Sequence, residues 1–278
     1  SMKFRLVMSS APDLKRDRML LVIDCGNTNT VFGIYNDGGK VQHWRMTTIP
    51  GQTADDMAVW LSHHMQRAGL SLEQIDGVVV SSVVPQLLPS FRQLAAEHLG
   101  REAFVITADN TDHGIDIRIP NPAQAGADRI ANTAGARAYG LPAMVIDFGT
   151  ATTFDLIDAD GAYIGGAIAP GVNLSINALY QAAARLPLID PSSWKPDMPV
   201  LGNNTIDAMN SGLYHGYVSL VERMITRLKA SFGADMTVIA TGGLANIFSI
   251  SIAGVDHHDP DLTLNGMVAI YTSIRKKS

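Results

Sequence analysis

The 278 residues are 46% hydrophobic, enough to bury roughly three quarters of the unfolded surface and to make two domains of ordinary size. Apolar runs such as Leu20 to Ile23 and Val78 to Val80 fall far short of the roughly 20 residues that span a bilayer, which excludes a membrane segment. Twenty-one Lys and Arg against 26 acids give a net charge of −5, and the densest basic patches, "LKRDR" and "RKK", sit at the two ends, so nucleic-acid binding has no electrostatic footprint across the fold.

Residues 1–18 have a basic start, but their apolar patch is too short for a signal-peptide core. They read as a disordered extension or a misassigned start before Met19, with Ser1 a tag remnant. Residues 19–36 read as a hairpin, a strand, a polar loop "DCGNTNT" and a second strand before the "NDGG" turn; "VQHWRMT" supplies a third strand. Thr53 with Asp55 and Asp56 marks a helix start, followed by Met57, Trp60, Leu61 and His64 at helical spacing. "DGVVVSSVVP" is a buried strand, "LLPSFRQLAAEHLG" a helix ending at Gly100, and "EAFVIT" another strand. In the helix of "NPAQAGADRIANTAGARAYGLP", Ala127, Ala131, Ala134 and Ala138 form a small-residue face that permits close backbone approach. From residue 143 the pattern of strand, polar loop, strand, turn and strand begins again. Helices at "GVNLSINALYQAAARL" and "IDAMNSGLYHGYVSLVERMITRLKASFG", the strand–turn "MTVIATGGL" and a final helix ending "SIRKK" complete an α/β chain.

The two beginnings form an internal repeat. Ile23-Asp24-x-Gly26 matches Ile146-Asp147-x-Gly149, and Thr30 and Thr153 each fall six residues after their aspartate. What repeats is the polar loop, which predicts two similarly built domains, 19–140 and 141–278, facing one another.

A loop of Gly, Thr and Asn between adjacent strands aims several N–H groups and hydroxyls at one point and makes an anion cradle. An aspartate at the strand end can hold a hydrated divalent cation beside phosphates. An ordinary hairpin turn with an Asx-type hydrogen bond accounts for one such loop equally well; two copies at matched positions favour the cradle. No P-loop and no G-x-G-x-x-G string occurs. In "GADR", Asp128 falls in the first turn of a helix, where the dipole favours its ionised form by about 0.3–1 kcal/mol. It can accept a proton from an alcohol, or simply be a dipole-friendly surface acid. Arg129 beside it offers a fork for a carboxylate. "ATGGL", residues 240–244, lets a flat ring or ribose lie on Gly242 and Gly243, or is a plain tight turn. The single cysteine, Cys25, excludes a disulfide framework and a Cys-based zinc site, reads as a small buried filler, and suits a reducing cytoplasm. His63-His64 and His257-His258 are adjacent pairs without metal-ligand spacing.

The set "DCGNTNTV", "SSVVP", "GADRIAN", "DFGTATTFD", "GGAIAPG", "NTIDAMNSG" and "ATGGLA", in this order between residues 24 and 246, resembles the type III pantothenate kinases of the acetate and sugar kinase/Hsp70/actin superfamily. The resemblance implies an α/β fold of two duplicated actin-like (ribonuclease H-like) domains, each a mixed sheet flanked by helices, with the active site in the cleft between them. It implies transfer of the γ-phosphoryl group of ATP to the primary hydroxyl of pantothenate. Carried over by motif, Asp24, Cys25, Gly26, Asn27, Thr28, Asn29, Thr30 and Val31 form the first ATP-phosphate loop, with Asp24 near Mg²⁺ or a similar divalent ion. Gly149, Thr150, Gly242 and Gly243 also face ATP. Gly126, Ala127, Asp128 and Arg129 bind pantothenate, Asp128 being the proton acceptor. Asp147 binds a monovalent cation, K⁺ or NH₄⁺, and Thr205 touches pantothenate unless it serves as a helix N-cap. A cytoplasmic homodimer with part of the substrate pocket at the subunit interface is implied, with no nucleic-acid or membrane partner. This chain departs from the family in its extension before Met19 and in having Cys25 where an aliphatic residue is commoner. A phosphohydrolase of the same superfamily and a transcriptional accessory factor are the alternative functions.

Overall fold

The computed structural model describes residues 18–183 and 185–277; all of the expected extension except Arg18 lies outside them. β1 (Met19–Cys25) is hydrogen-bonded on both sides and almost continuously apolar, as a central strand must be. It pairs antiparallel with β2 (Asn29–Asn36), which pairs with the outer, largely exposed β3 (Gly39–Thr47). α1 (Ala54–Arg67) starts at a capping box: Thr53 Oγ1 accepts from Asp56 N at 3.1 Å while Asp56 Oδ2 accepts from Thr53 N at 3.3 Å. Its buried stripe, Ala54, Met57, Ala58, Leu61 and Met65, closes one face of the sheet. β4 (Ile75–Ser82) runs parallel to β1, and after α2 (Leu88–Gln93), extended by a π turn over Leu94–His98, the three-residue β5 (Ala103–Val105) forms the edge.

α3 (Ala127–Ala136) leads into the second sheet: β6 (Ala143–Phe148), β7 (Ala151–Ile157) and β8 (Tyr163–Pro170), then α4 (Val172–Ala182), α5 (Thr205–Phe232), β9 (Thr237–Thr241), α6 (Ala245–Phe248) and β10 (His257–His258). The sheet orders are β3-β2-β1-β4-β5 and β8-β7-β6-β9-β10, the same topology twice. This is the duplicated actin-like architecture. The hairpin β1–β2 corresponds to β6–β7, and Asp24 and Asp147 stand at equivalent strand ends.

The match of Thr30 with Thr153 needs correction. Thr30 pairs with Cys25, one residue past Asp24, whereas Thr153 pairs with Asp147 itself and Thr152 pairs with Phe148. The first turn holds one more residue than the second, so equal sequence spacing does not give equal register, and Thr152 is the counterpart of Thr30.

The last helix, α7 (Leu262–Lys277), returns to the first sheet, where Leu264, Met267 and Ile270 pack with Val22 and Val79. The chain thus passes from α3 to β6 through residues 137–142 and comes back from β10 to α7 through 259–261, and Tyr139 Oη donates to Asp259 Oδ2 at 2.8 Å between the two passages. α3 and α7 pack closely. The small-residue face of α3 is realised by Ala127, Ala131 and Ala134, all buried; Ala138, expected on it, lies past the helix end and is exposed. A Cβ on Gly266 of α7 would overlap the Ala131 carbonyl, and one on Gly135 would sit 2.5 Å from Leu262 O. Gly266→Ala is therefore expected to lower unfolding stability by about 1–3 kcal/mol or more, because the opposing atom is backbone and cannot yield. Urea unfolding checks it: the midpoint falls at unchanged slope.

Among the described residues, no helix is long and apolar enough to cross a membrane.

Candidate active site

The two polar turns meet. Thr28 Oγ1 and Thr150 Oγ1, at the tips of the β1–β2 and β6–β7 hairpins, lie 3.0 Å apart and share a hydrogen bond. Each turn closes on itself: Gly26 N donates to Asn29 O at 3.0 Å and Gly149 N to Ala151 O at 3.1 Å. Asn27, Thr28, Asn29, Gly149 and Thr150 are exposed around the cleft, while Val31 is half-buried. Thr30 is different: its hydroxyl is buried, bonded to Thr48 Oγ1 at 2.9 Å and to Cys25 Sγ at 3.4 Å, so it props the turn from within. Thr48, which also donates to Gly26 O at 2.8 Å, is a supporting residue that its place in "MTTIP" did not reveal. Cys25 is buried, and burial pushes its thiol up, which fits a packing role and not a nucleophile.

Asp24 closes β1 between Val31 of β2 and Ser81 of β4. Burial, then the charges of Asp128 and Asp147, push its carboxyl up to about 7; Ser81 Oγ lies near enough to ease this but makes no hydrogen bond of good geometry. Asp147, the matching strand end of β6, is pushed up to about 6 by burial and then by Asp128, with Asn132 and Arg129 pulling it back. Three carboxylates from β1, α3 and β6 therefore lie within electrostatic reach of one another. Like charges gathered this way call for a cation or a proton.

Folded Asp24 and Asp147 hold protons at pH values where the unfolded chain, with carboxyls near 3.8, has released them. Their favourable contribution is complete below about pH 4 and is lost as pH rises through 6 and 7. Ligand-free Asp24→Asn should accordingly melt higher than the parent protein at pH 8 and at the same temperature near pH 4. Each ~1 kcal/mol is worth about 2–4 °C in a chain of this size. A lower melting temperature at pH 8 would contradict the assignment.

α3 delivers the third element. Gly126 is its N-cap, Ala127 is buried, and Asp128 and Arg129 are half-buried in the first turn. Asp128 Oδ1 accepts from Arg129 N at 2.9 Å, and Arg129 Nη1 donates to both oxygens of Asp128 at 3.0 and 2.9 Å. The Arg129 fork, expected to be open for a substrate, is thus engaged by the neighbouring acid. One helical turn on, Asn132 Nδ2 donates to Asp147 Oδ2 at 3.4 Å while its Oδ1 accepts from Thr263 Oγ1 at 2.7 Å. Asn132 was not singled out in the sequence, although its i+4 spacing from Asp128 puts both on one helix face. Asp155, inside β7, also escaped notice; Arg129 Nε lies 3.4 Å from its Oδ1.

The turn after β9 completes this end of the second sheet. Thr241 pairs with Asp147, and Gly242, at φ +93°, runs so close that a Cβ there would overlap Asp147 Oδ1 and lie 2.7 Å from Phe148 N. Gly243 has open space around it. α4 also opens here, its N-cap Gly171 following Pro170, which pairs with Ala151 of the second hairpin. Thr205 stands apart. Asn204 is the N-cap of α5, accepting from Asp207 N at 3.0 Å, so the capping role weighed for Thr205 belongs to its neighbour; Thr205 is the exposed first residue of the helix. No hydrogen bond among the described residues links it to Asp128.

A surface depression of about 430 Å³ lined by Arg92, Arg101 and Glu102 lies at the opposite ends of the first sheet's strands, away from these groups.

A family model described as type III pantothenate kinase matches residues 20–227. A type III pantothenate kinase of Caulobacter vibrioides is 48% identical over 255 residues, covering 91% of this chain and 97% of that protein. One of Phenylobacterium zucineum is 47% identical over 261 residues, covering 94% and 100%. Among solved structures, a conserved putative Baf family transcriptional activator from Campylobacter jejuni aligns with a TM-score of 0.59 over 92% of this chain and 99% of that one, at 17% identity. MreB5 of Spiroplasma citri bound to ADP aligns with a TM-score of 0.53 over 94% and 98%, at 12% identity. At such identities the two solved structures speak for the fold alone.

Proposed function

The chain belongs to the type III pantothenate kinase family, and it transfers the γ-phosphoryl group of ATP to the primary hydroxyl of pantothenate, giving 4'-phosphopantothenate on the way to coenzyme A; we propose that it does so between the two hairpin tips, with Asp128 as proton acceptor. The observation that carries this is the convergence of the Thr28–Thr150 contact with Asp128, Asp24 and Asp147 at one cleft.

Phosphoryl transfer has a loose transition state, so positioning and charge neutralisation dominate. The exposed tip of the first turn, Asn27, Thr28 and Asn29, and the turn at Gly149 and Thr150 cradle the phosphates, with Cys25 and Thr30 holding the first turn from within, and Gly242 and Gly243 line the nucleotide. Among the described residues, no three Asp, Glu, His or Cys side chains form a metal cage. Magnesium binds through one or two carboxylates and keeps phosphate oxygens and waters as its other ligands. Asp24 would hold it through water and Asp147 would hold K⁺ or NH₄⁺; both are oxygen donors whose charges are at present crowded. Magnesium supplies charge neutralisation on the phosphates. The pantothenate carboxylate takes the Arg129 fork, competing with Asp128 for Nη1. That competition frees an Asp128 oxygen to accept the hydroxyl proton as the new O–P bond forms and ADP leaves.

The protein works as a cytoplasmic homodimer. Supporting this are the exposed apolar side chains Leu179 and Tyr180 of α4 with Val200, Leu201 and Ile206 around the start of α5. Thr205, exposed beside Ile206, would reach a pantothenate bound across the subunit interface.

ADP release measured with ATP, magnesium and pantothenate, with and without potassium, tests the proposal. Pantothenate-dependent, potassium-stimulated release is expected. Release with water alone would instead make the protein a phosphohydrolase, and DNA retention at physiological salt without turnover would make it a regulator.

A further inference from the structure

Asp155 is a buried carboxylate within a strand of the second sheet. It sits in the middle of β7 at 1% exposure, opposite Val145 of β6 and Gly166 of β8, with Phe154, Leu156 and Ile157 as apolar neighbours along the strand. A buried ion pair adds little beyond what well-packed apolar residues replacing both partners would give, so stability does not by itself account for such a pair here. The surroundings of Asp155 are polar and directed. Thr153 Oγ1 donates to Asp155 Oδ2 at 2.9 Å, and Arg129 Nε lies 3.4 Å from Oδ1. The same guanidinium uses Nη1 on Asp128. Arg129 is thus caught between a carboxylate fixed in the sheet and a carboxylate facing the cleft.

We propose that Asp155 is a positioning residue, anchoring the Nε edge of Arg129 so that the rest of the guanidinium is presented to Asp128 and to the substrate carboxylate. An arginine side chain turns about several bonds and loses rotamer freedom on being held. An anchor in a rigid strand removes that freedom before substrate arrives, which is preorganisation in the ordinary sense. Burial pushes the Asp155 carboxyl up to about 7 and Arg129, with Thr153 adding to it, pulls it back, so Asp155 and Arg129 are energetically linked as well as adjacent. The proposal rests on Arg129 receiving the pantothenate carboxylate.

Pantothenate binding measured by calorimetry with a non-hydrolysable ATP analogue present separates the possibilities, using Asp155→Asn, Arg129→Lys, the double variant and Thr153→Val. Asp155→Asn keeps the shape and the Thr153 contact but drops the charge. It should weaken pantothenate binding about 10–100-fold, as misplacement of a binding group does. Affinity for the nucleotide should stay within about twofold. Thr153→Val should act in the same direction more weakly. In the Arg129→Lys background, which lacks the Nε edge, Asp155→Asn should add nothing, since groups acting as one unit are not additive. Wild-type pantothenate affinity in Asp155→Asn, equal loss of nucleotide affinity, or a full further loss in the double variant would each overturn the proposal. If Arg129→Lys alone leaves pantothenate affinity unchanged, the assignment of Arg129 to the substrate fails first and takes the anchor with it.

Discussion

Asp128→Asn is expected to lower kcat by about 10²–10⁴-fold, the range supplied by a positioned general base, while thermal unfolding stays where it was. The amide has the size of the carboxylate and can still accept from Arg129 N and Nη1, so α3 keeps its first turn. What it cannot do is take a proton from the attacking hydroxyl. The substitution also removes a charge that pushes Asp24 and Asp147 up, so both should ionise at lower pH in the variant. Steady-state ADP release alongside calorimetric unfolding checks it. A kcat near that of the parent protein would take Asp128 out of the reaction.

The second large effect is expected at Gly242. Alanine there adds a Cβ that would overlap Asp147 Oδ1 and crowd the Phe148 backbone, in a left-handed conformation that already costs a non-glycine residue about 1–3 kcal/mol. Neither opposing group can move without cost, because Asp147 is held by Asn132 and Phe148 by the ladder between β6 and β7. Gly242→Ala should therefore displace Asp147, raise KM for ATP by at least ~10-fold by misplacing the nucleotide's groups, and blunt the response to potassium. KM for pantothenate should change far less, since Gly126 to Arg129 lie on α3. Equal shifts in both constants would show general loss of structure.

Both hairpins were legible because a carboxylate and a row of small polar residues interrupt strands that are otherwise apolar, and the repeat of that interruption gave the duplicated fold. The start of α1 was legible for the same local reason: Thr53 and Asp56 satisfy each other's backbone. Register was not. Equal spacing after Asp24 and Asp147 pointed to Thr153, but the extra residue in the first turn makes Thr152 the partner position. At "GNNTID", three polar residues compete to cap α5, and only the backbone shows that Asn204 does so. Asp155 was hidden because one acid in "TTFDLI" has no periodicity to mark it; its meaning comes from Arg129, 26 positions earlier in the chain.

The two passages of chain between the halves set how the cleft can open. A single connection would leave the two sheets free to swivel; the second passage at 259–261, tied to the first by the Tyr139–Asp259 bond, restrains twisting of one sheet against the other. With twist restrained, a tilt that parts the two hairpin tips is the motion expected to break the Thr28–Thr150 contact.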